Sequence, residues 1–268
     1  MPIKQFILDM DGVLWRGDTP LPGFNQFFAT LAERDIPFLL ATNNASKTPQ
    51  QYIQKLDKLG LAVDEAQIMT SAEATGSFLQ HEYPAGTRAY VVGGDGLHYA
   101  LSRRDFELVK SYDPDLDVPL VVIGFNPAVC YQDLAIATLY VNKGARFIGS
   151  NPDSSFPSEM GQLPGAGALL ALVSAATDVK PEIIGKPGPT IFREALLRLG
   201  AEAGQTAMIG DRLNTDIAGA DAAGLVKVMV LSGISRPEEI AASPWQPDYV
   251  YQDLADVTAN LDTVLAHE

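Results

Sequence analysis

The apolar run Phe6-Ile7-Leu8 stops abruptly at Asp9, and Asp11 and Gly12 follow at once. A short apolar run bounded by a glycine predicts a buried strand of a parallel sheet. Phe24, Phe27, Phe28 and Leu31 then recur at helical spacing, which predicts a helix with one core face. "IPFLLATNN" reads as a second strand ending in the polar residues Thr42-Asn43-Asn44. From about Pro49, Tyr52, Ile53, Leu56 and Leu59 lie on one helical face, with Gly60 as the stop. "QIMTSAEATGSFLQ" repeats the theme as a short strand and a helix capped near Ser71. This βαβαβα order predicts a parallel sheet with helices on its faces.

A second run of the same texture spans residues 86–180, with "RAYVVGG", "LVVIGF" and "ARFIGS" as strands and Tyr131–Asn142 as a helix. The stretches Pro84-Ala85-Gly86 and Pro164-Gly165-Ala166-Gly167 suit crossing points near its ends. The first texture resumes with "EIIGKPG", a helix bearing Phe192, Ala195, Leu196 and Leu199, "TAMIGDRLNTD", "LVKVMVLSG" and a final helix over Leu254–Leu265. The pattern predicts an α/β protein: a Rossmann-like, doubly wound parallel-sheet core of residues 1–85 and 181–268, interrupted by an inserted α/β domain at 86–180.

Four polar clusters each follow an apolar run: Asp9/Asp11, Thr42/Asn43, Lys186 after Ile183-Ile184-Gly185, and Asp211/Asp216 after Ala207-Met208-Ile209-Gly210. Parallel strands bring their C-terminal ends to one edge of a sheet, where ligands of open α/β folds bind. Unpaired charges are too costly to be placed there for packing. Carboxylates at this density suit a hard divalent cation with oxygen ligands, most naturally magnesium. A lysine with hydroxyl and amide donors suits phosphoryl oxygens.

Charge sharpens this picture. The formal net charge of −14 over 268 residues argues against nucleic acid or an anionic membrane as partner. A small anionic substrate remains compatible, because a bound cation would offset its charge. Cys130 is the sole cysteine, so neither an internal disulfide nor a cysteine metal site is expected. No segment approaches transmembrane length and no leader is apparent, so a cytoplasmic location is the expectation. His81, His98 and His267 are scattered, which disfavours a histidine metal site or a Ser-His-Asp triad.

The segments "DMDGVL", "ATNN", "GKPGP" and "GDRLNTDI", in this order, resemble the four motifs of the haloacid dehalogenase (HAD) superfamily phosphatases. The long insertion with its "SNPD" stretch resembles the class IIA cap of the NagD-like and 4-nitrophenylphosphatase-like subgroup. The resemblance implies a magnesium-dependent phosphomonoester hydrolase acting on a small phosphorylated metabolite such as a sugar phosphate or nucleotide. It implies Asp9 as nucleophile, Asp11 as general acid and base, and Thr42, Asn43 and Lys186 as phosphoryl ligands. Mg²⁺ would be held by Asp9, the backbone carbonyl of Asp11 and Asp211, with Asp216 placing its waters. Relatives often pair through their caps, so the resemblance carries an expectation of a homodimer. Asn214 stands where relatives often have an acid and is given no metal role. Asn151-Pro152-Asp153 reads as an Asx turn in preference to a substrate contact. A dehalogenase would need neither a second acid nor magnesium, and a phosphorylated signalling receiver would have no use for a cap-sized insertion.

Overall fold

Parallel strands covered by helices on both faces must be apolar throughout, and β1 (Gln5–Leu8) has Phe6, Ile7 and Leu8 all buried. The computed structural model describes residues 1–158 and 160–267. After β1 the chain forms a small hairpin of β2 (Trp15–Arg16) and β3 (Thr19–Pro20), then α1 (Phe24–Glu33), β4 (Phe38–Thr42), α2 (Pro49–Lys58) and β5 (Ile68–Thr70). Next come α3 (Ser71–Glu82), β6 (Arg88–Val92), α4 (Asp95–Ser102), β7 (Glu107–Val109), β8 (Leu120–Ile123), α5 (Tyr131–Asn142) and β9 (Arg146–Gly149). A hairpin of β10 (Ser155–Ser158) and β11 (Gly161–Pro164) precedes α6 (Ala166–Thr177) and β12 (Glu182–Ile183). The chain ends with α7 (Pro189–Leu199), β13 (Thr206–Gly210), α8 (Ala218–Ala223), β14 (Val226–Val230), α9 (Pro237–Ala242), β15 (Tyr249–Tyr251), α10 (Leu254–Ala259) and α11 (Leu261–Leu265).

Two compact units result, one of Met1–Thr42, Gln50–Met69 and Lys186–Glu268, the other of Asn43–Pro49 and Thr70–Gly185. The first carries a six-stranded sheet of order β15-β14-β13-β1-β4-β5. β1 pairs in parallel with β13 and β4, and Leu8 sits level with both Ile209 and Leu40. That register places Asp9, Gly210-Asp211 and the Ala41-Thr42 end of β4 along one edge. Phe24, Phe27, Phe28 and Leu31 of α1 all bury against this sheet, as their spacing predicts.

The second unit carries a five-stranded parallel sheet of order β12-β9-β8-β6-β7, with a core that includes Tyr90, Val121, Ile123, Tyr140 and Phe147. Its bounds are wider than 86–180 because α3 belongs to it. Gly76 brings α3 so close to α4 that a Cβ there would lie 2.7 Å from the Ala100 carbonyl oxygen. Buried Glu73 accepts from Arg104 at 2.9 Å, tying the same two helices. Residues 43–49 join this unit as well, where the Gly96 N–H donates to the Ser46 carbonyl at 3.2 Å.

Four local expectations change. The run before Lys186 is not a strand of the six-stranded sheet: β12 pairs with β9 in the other one. The helix α3 is capped by Thr70 rather than Ser71, its hydroxyl accepting from the Glu73 N–H at 3.0 Å. The final helix breaks at Asn260, whose amide donates to the Asp256 carbonyl at 2.9 Å. The glycine-rich stretch at 164–167 is no crossing point: it lies within the second unit and opens α6. No helix among the described residues is long and apolar enough to cross a membrane.

Candidate active site

Asp9 follows β1, and its N–H donates to the Ile209 carbonyl at 2.9 Å, extending the β1–β13 ladder by one residue. Its carboxylate, nearly buried, is ion-paired through Oδ1 to the Lys186 ammonium. Lys186 also pairs with Asp216 Oδ1 at 2.7 Å and donates to the Ala41 carbonyl at 3.2 Å. One buried cation therefore joins the ends of β1 and β4 to the turn after β13.

Asp216 lies in the π-helical turn Leu213–Ile217, and its Oδ2 accepts from the Arg212 N–H at 3.1 Å. Asp211 is held by the loop after β14, where the Ile234 N–H donates to Oδ2 at 2.7 Å. Its other oxygen, Oδ1, is buried and receives no hydrogen bond among the described residues. Gly12, at φ +92°, backs onto this carboxylate, and a Cβ there would come within 2.5 Å of Oδ2.

Asp9, Asp211 and Asp216 each offer an oxygen within 4.8 Å of the others. Three buried acids share this cluster with the Lys186 ammonium, and burial together with mutual repulsion displaces the pKa values of Asp9 and Asp211. Burial, more than any other influence, raises the Asp9 carboxyl well above its usual range; Asp216 and Asp211 add to this while Lys186 opposes it. Asp211 is pushed up to about 6, first by burial and then by Asp216. Burial works against the Lys186 charge, yet Asp216 and Asp9 outweigh it and keep the ammonium above the usual lysine range.

An all-oxygen donor set with an orphaned, buried carboxylate oxygen fits a hard divalent cation. It also yields a stability prediction. Because the Asp211 pKa is raised on folding, its contribution is fully present below about 4 and is lost as pH rises through about 6. Asp211→Asn should therefore raise the melting temperature of chelated protein at pH 7.5 by a few degrees, corresponding to about 1–3 kcal/mol. The advantage should shrink towards pH 5, and thermal denaturation at both pH values checks it.

Thr42 is buried at the end of β4, and the hydroxyl of buried Tyr52 from α2 interacts with it. Tyr52 reads in sequence only as part of an apolar stripe. Asp11 is exposed, and Oδ1 of its carboxylate accepts from the indole Nε1–H of Trp15 at 2.8 Å. Neither Trp15 nor the Ser232-Gly233-Ile234-Ser235 loop stands out in the sequence pattern, although β14 ends on the same sheet edge as Asp211.

Asn43 falls in the second unit. Its amide donates to both Asp153 carboxylate oxygens at 3.3 Å, and its carbonyl accepts from the Asn151 amide at 2.8 Å. The Asp153 N–H donates to Asn151 Oδ1 at 3.1 Å, which is the expected Asx turn. Asn214 lies on the turn between Asp211 and Asp216.

The chain is similar to known proteins over nearly its whole length. Residues 6–107 match the family model for haloacid dehalogenase-like hydrolases, and residues 183–257 a HAD-hydrolase-like model. An acid sugar phosphatase from Staphylococcus aureus is 39% identical over 259 residues, covering 97% of this chain and 98% of its own. The structure of a p-nitrophenyl phosphatase from Archaeoglobus fulgidus superposes with a TM-score of 0.90 at 31% identity, over 97% of this chain and 99% of that one. A glycerol phosphate phosphatase from Mycobacterium tuberculosis, solved in complex with magnesium, matches with a TM-score of 0.87 at 31% identity, over 96% of this chain and 76% of that one. The chain belongs to the HAD-like hydrolases, in their class IIA phosphatase group, and is a phosphoric monoester hydrolase.

Proposed function

We propose that this hydrolase works through a phosphorylated Asp9 and depends on Mg²⁺. The observation that carries the reading is the buried cluster in which Lys186 joins Asp9 to Asp216 while Asp211 Oδ1 has no donor among the described residues. Lys186 engages Asp9 Oδ1, leaving Oδ2 to attack phosphorus. As the new O–P bond forms, the bond to the leaving oxygen breaks and Asp11 supplies that oxygen with a proton. In the second step Asp11 takes a proton from water, the water oxygen attacks phosphorus, and the Asp9–phosphorus bond breaks to release inorganic phosphate. Lys186 and Thr42 would offset and hold the phosphoryl oxygens, and Asn43, next to Thr42 in the chain, is assigned the same role.

Asp9, Asp211 and the Asp11 carbonyl would hold Mg²⁺, with Asp216 orienting its waters. The ion, when bound, would neutralise phosphoryl charge and let three crowded carboxylates accept a dianionic substrate. The substrate class we infer is a small phosphorylated metabolite. Sugar and polyol phosphates come first, since the similar proteins include an acid sugar phosphatase and a glycerol phosphate phosphatase. The inserted unit, as a cap, would supply leaving-group discrimination.

Asp11→Asn tests the division of labour. The variant keeps the nucleophile, so an aspartyl-phosphate should form readily from 4-nitrophenyl phosphate, whose leaving group needs no proton. Formation from glycerol 3-phosphate should slow by about 10²–10⁴, the usual worth of general acid help. Quenched incubation followed by mass measurement of the Asp9 peptide reads both. Equal slowing with the two substrates would remove Asp11 from the acid role.

A further inference from the structure

The carboxylate of an exposed aspartate is free to turn, and an acid that must meet a leaving oxygen cannot be. Asp11 is exposed, whereas Trp15, which donates to its Oδ1 at 2.8 Å, is fully buried. The chain segment that carries the indole is held at several points. The Gly12 N–H donates to the Trp15 carbonyl at 2.8 Å, closing the turn that carries Asp11. Arg16 donates to the Ser232 carbonyl at 2.8 Å, and Lys55 to the Gly17 carbonyl at 2.7 Å, so the end of β2 and the turn that follows it are tied down. The Lys55 ammonium also lies 4.2 Å from the centre of the Trp15 ring. A cation at that distance attracts the ring face and draws electron density from the N–H, which strengthens it as a donor. A residue placed only for packing does not need this arrangement, because a wholly apolar side chain would bring no N–H to satisfy.

We propose that Trp15 is a positioning residue for catalysis: its indole N–H pins Oδ1 of Asp11 and leaves Oδ2 as the oxygen that gives and takes the proton. The proposal rests on the reading of Asp11 as general acid and base. Proton transfer needs the donor within hydrogen-bond reach of the leaving oxygen, and small misplacements of a reacting group are costly. Trp15 touches no reacting atom and acts only through Asp11.

The test is a first-turnover measurement on the full chain with Mg²⁺, comparing Trp15→Phe with the unaltered protein on glycerol 3-phosphate and 4-nitrophenyl phosphate. Release of glycerol should slow by about tenfold, with KM within about twofold, because the acid is kept but no longer aimed. Release of 4-nitrophenol, which needs no proton, should stay within about twofold. Equal slowing of both, or of neither, overturns the proposal, since loss of packing has no reason to distinguish leaving groups. Should Trp15→Phe not fold, benzothienylalanine at position 15 keeps the ring shape and removes only the N–H, and the same two rates decide. Adding Trp15→Phe to Asp11→Asn should cause no further leaving-group effect. If Asp11→Asn is itself blind to the leaving group, the acid role and this proposal both fall. If Asp11→Asn discriminates and Trp15→Phe does not, only the positioning role falls.

Discussion

Asp9→Asn should lower turnover by roughly 10⁴–10⁶, the range seen when the nucleophile or another member of a catalytic unit is removed. The amide keeps the size of the side chain and a carbonyl that can accept from Lys186. What it lacks is the anion that, in the proposed mechanism, attacks phosphorus. No phosphate adduct should appear on the peptide containing residue 9, whichever leaving group is offered, and intact-protein mass after a quenched incubation is the readout. Stability should not fall in parallel, because Lys186 retains its 2.7 Å pair with Asp216. Relieving the crowding between position 9 and the acids at 211 and 216 should if anything stabilise the chelated protein. A variant that melts early, or one that still forms the adduct, would show that Asp9 has another function.

Chelation is expected to abolish phosphate release from every substrate, and Mg²⁺ to restore it. The reason is the crowding in the buried cluster, where Asp9, Asp211 and Asp216 gather and Lys186 pairs with two of them. A dianionic phosphoryl group brought to such a site without a second cation would meet net repulsion in a medium that screens charge poorly. Calcium should bind and inhibit, because its larger and looser coordination sphere allows a carboxylate to bind through both oxygens. That mode would occupy the Asp9 oxygen needed for attack. Phosphate release measured after chelation, then with each ion added back, checks this. Full turnover in excess chelator would remove the ion from the reaction. Melting temperature gives a second readout, since a ligand bound only by the folded state raises it with concentration.

Much of the fold is legible in local pattern. Three-residue apolar runs such as Phe6-Ile7-Leu8 announce central strands, because a strand buried on both faces cannot carry polar residues. Spacing alone identifies α1 through Phe24, Phe27, Phe28 and Leu31. The convergence of Asp9 and Asp211 follows as well, since parallel strands in register must end together. Pattern fails where packing has no period to impose. The helix α6 is apolar and small-residued almost all round, with only Ala166, Leu170 and Val173 buried, so it carries no clear stripe. The opposite fault occurs at the C-terminus, where Leu254, Val257, Leu261 and Val264 keep helical spacing straight through the break at Asn260.

By itself the sequence determined which residue types stand at the ends of which strands, and hence that carboxylates and a lysine would gather on a sheet edge. Tertiary structure alone decided how they pair. Lys186 reaches Asp9 across 177 positions of chain, although the short strand before it belongs to another sheet. The Asp211 oxygen without a donor among the described residues depends on a loop that satisfies Oδ2 alone. The hold of Trp15 on Asp11 depends on burial that turns an indole edge towards an exposed acid. Periodicity records which side of an element faces the core. The direction of a hydrogen bond and the count of charges around a buried atom are set by partners distant in sequence, and no local pattern encodes them.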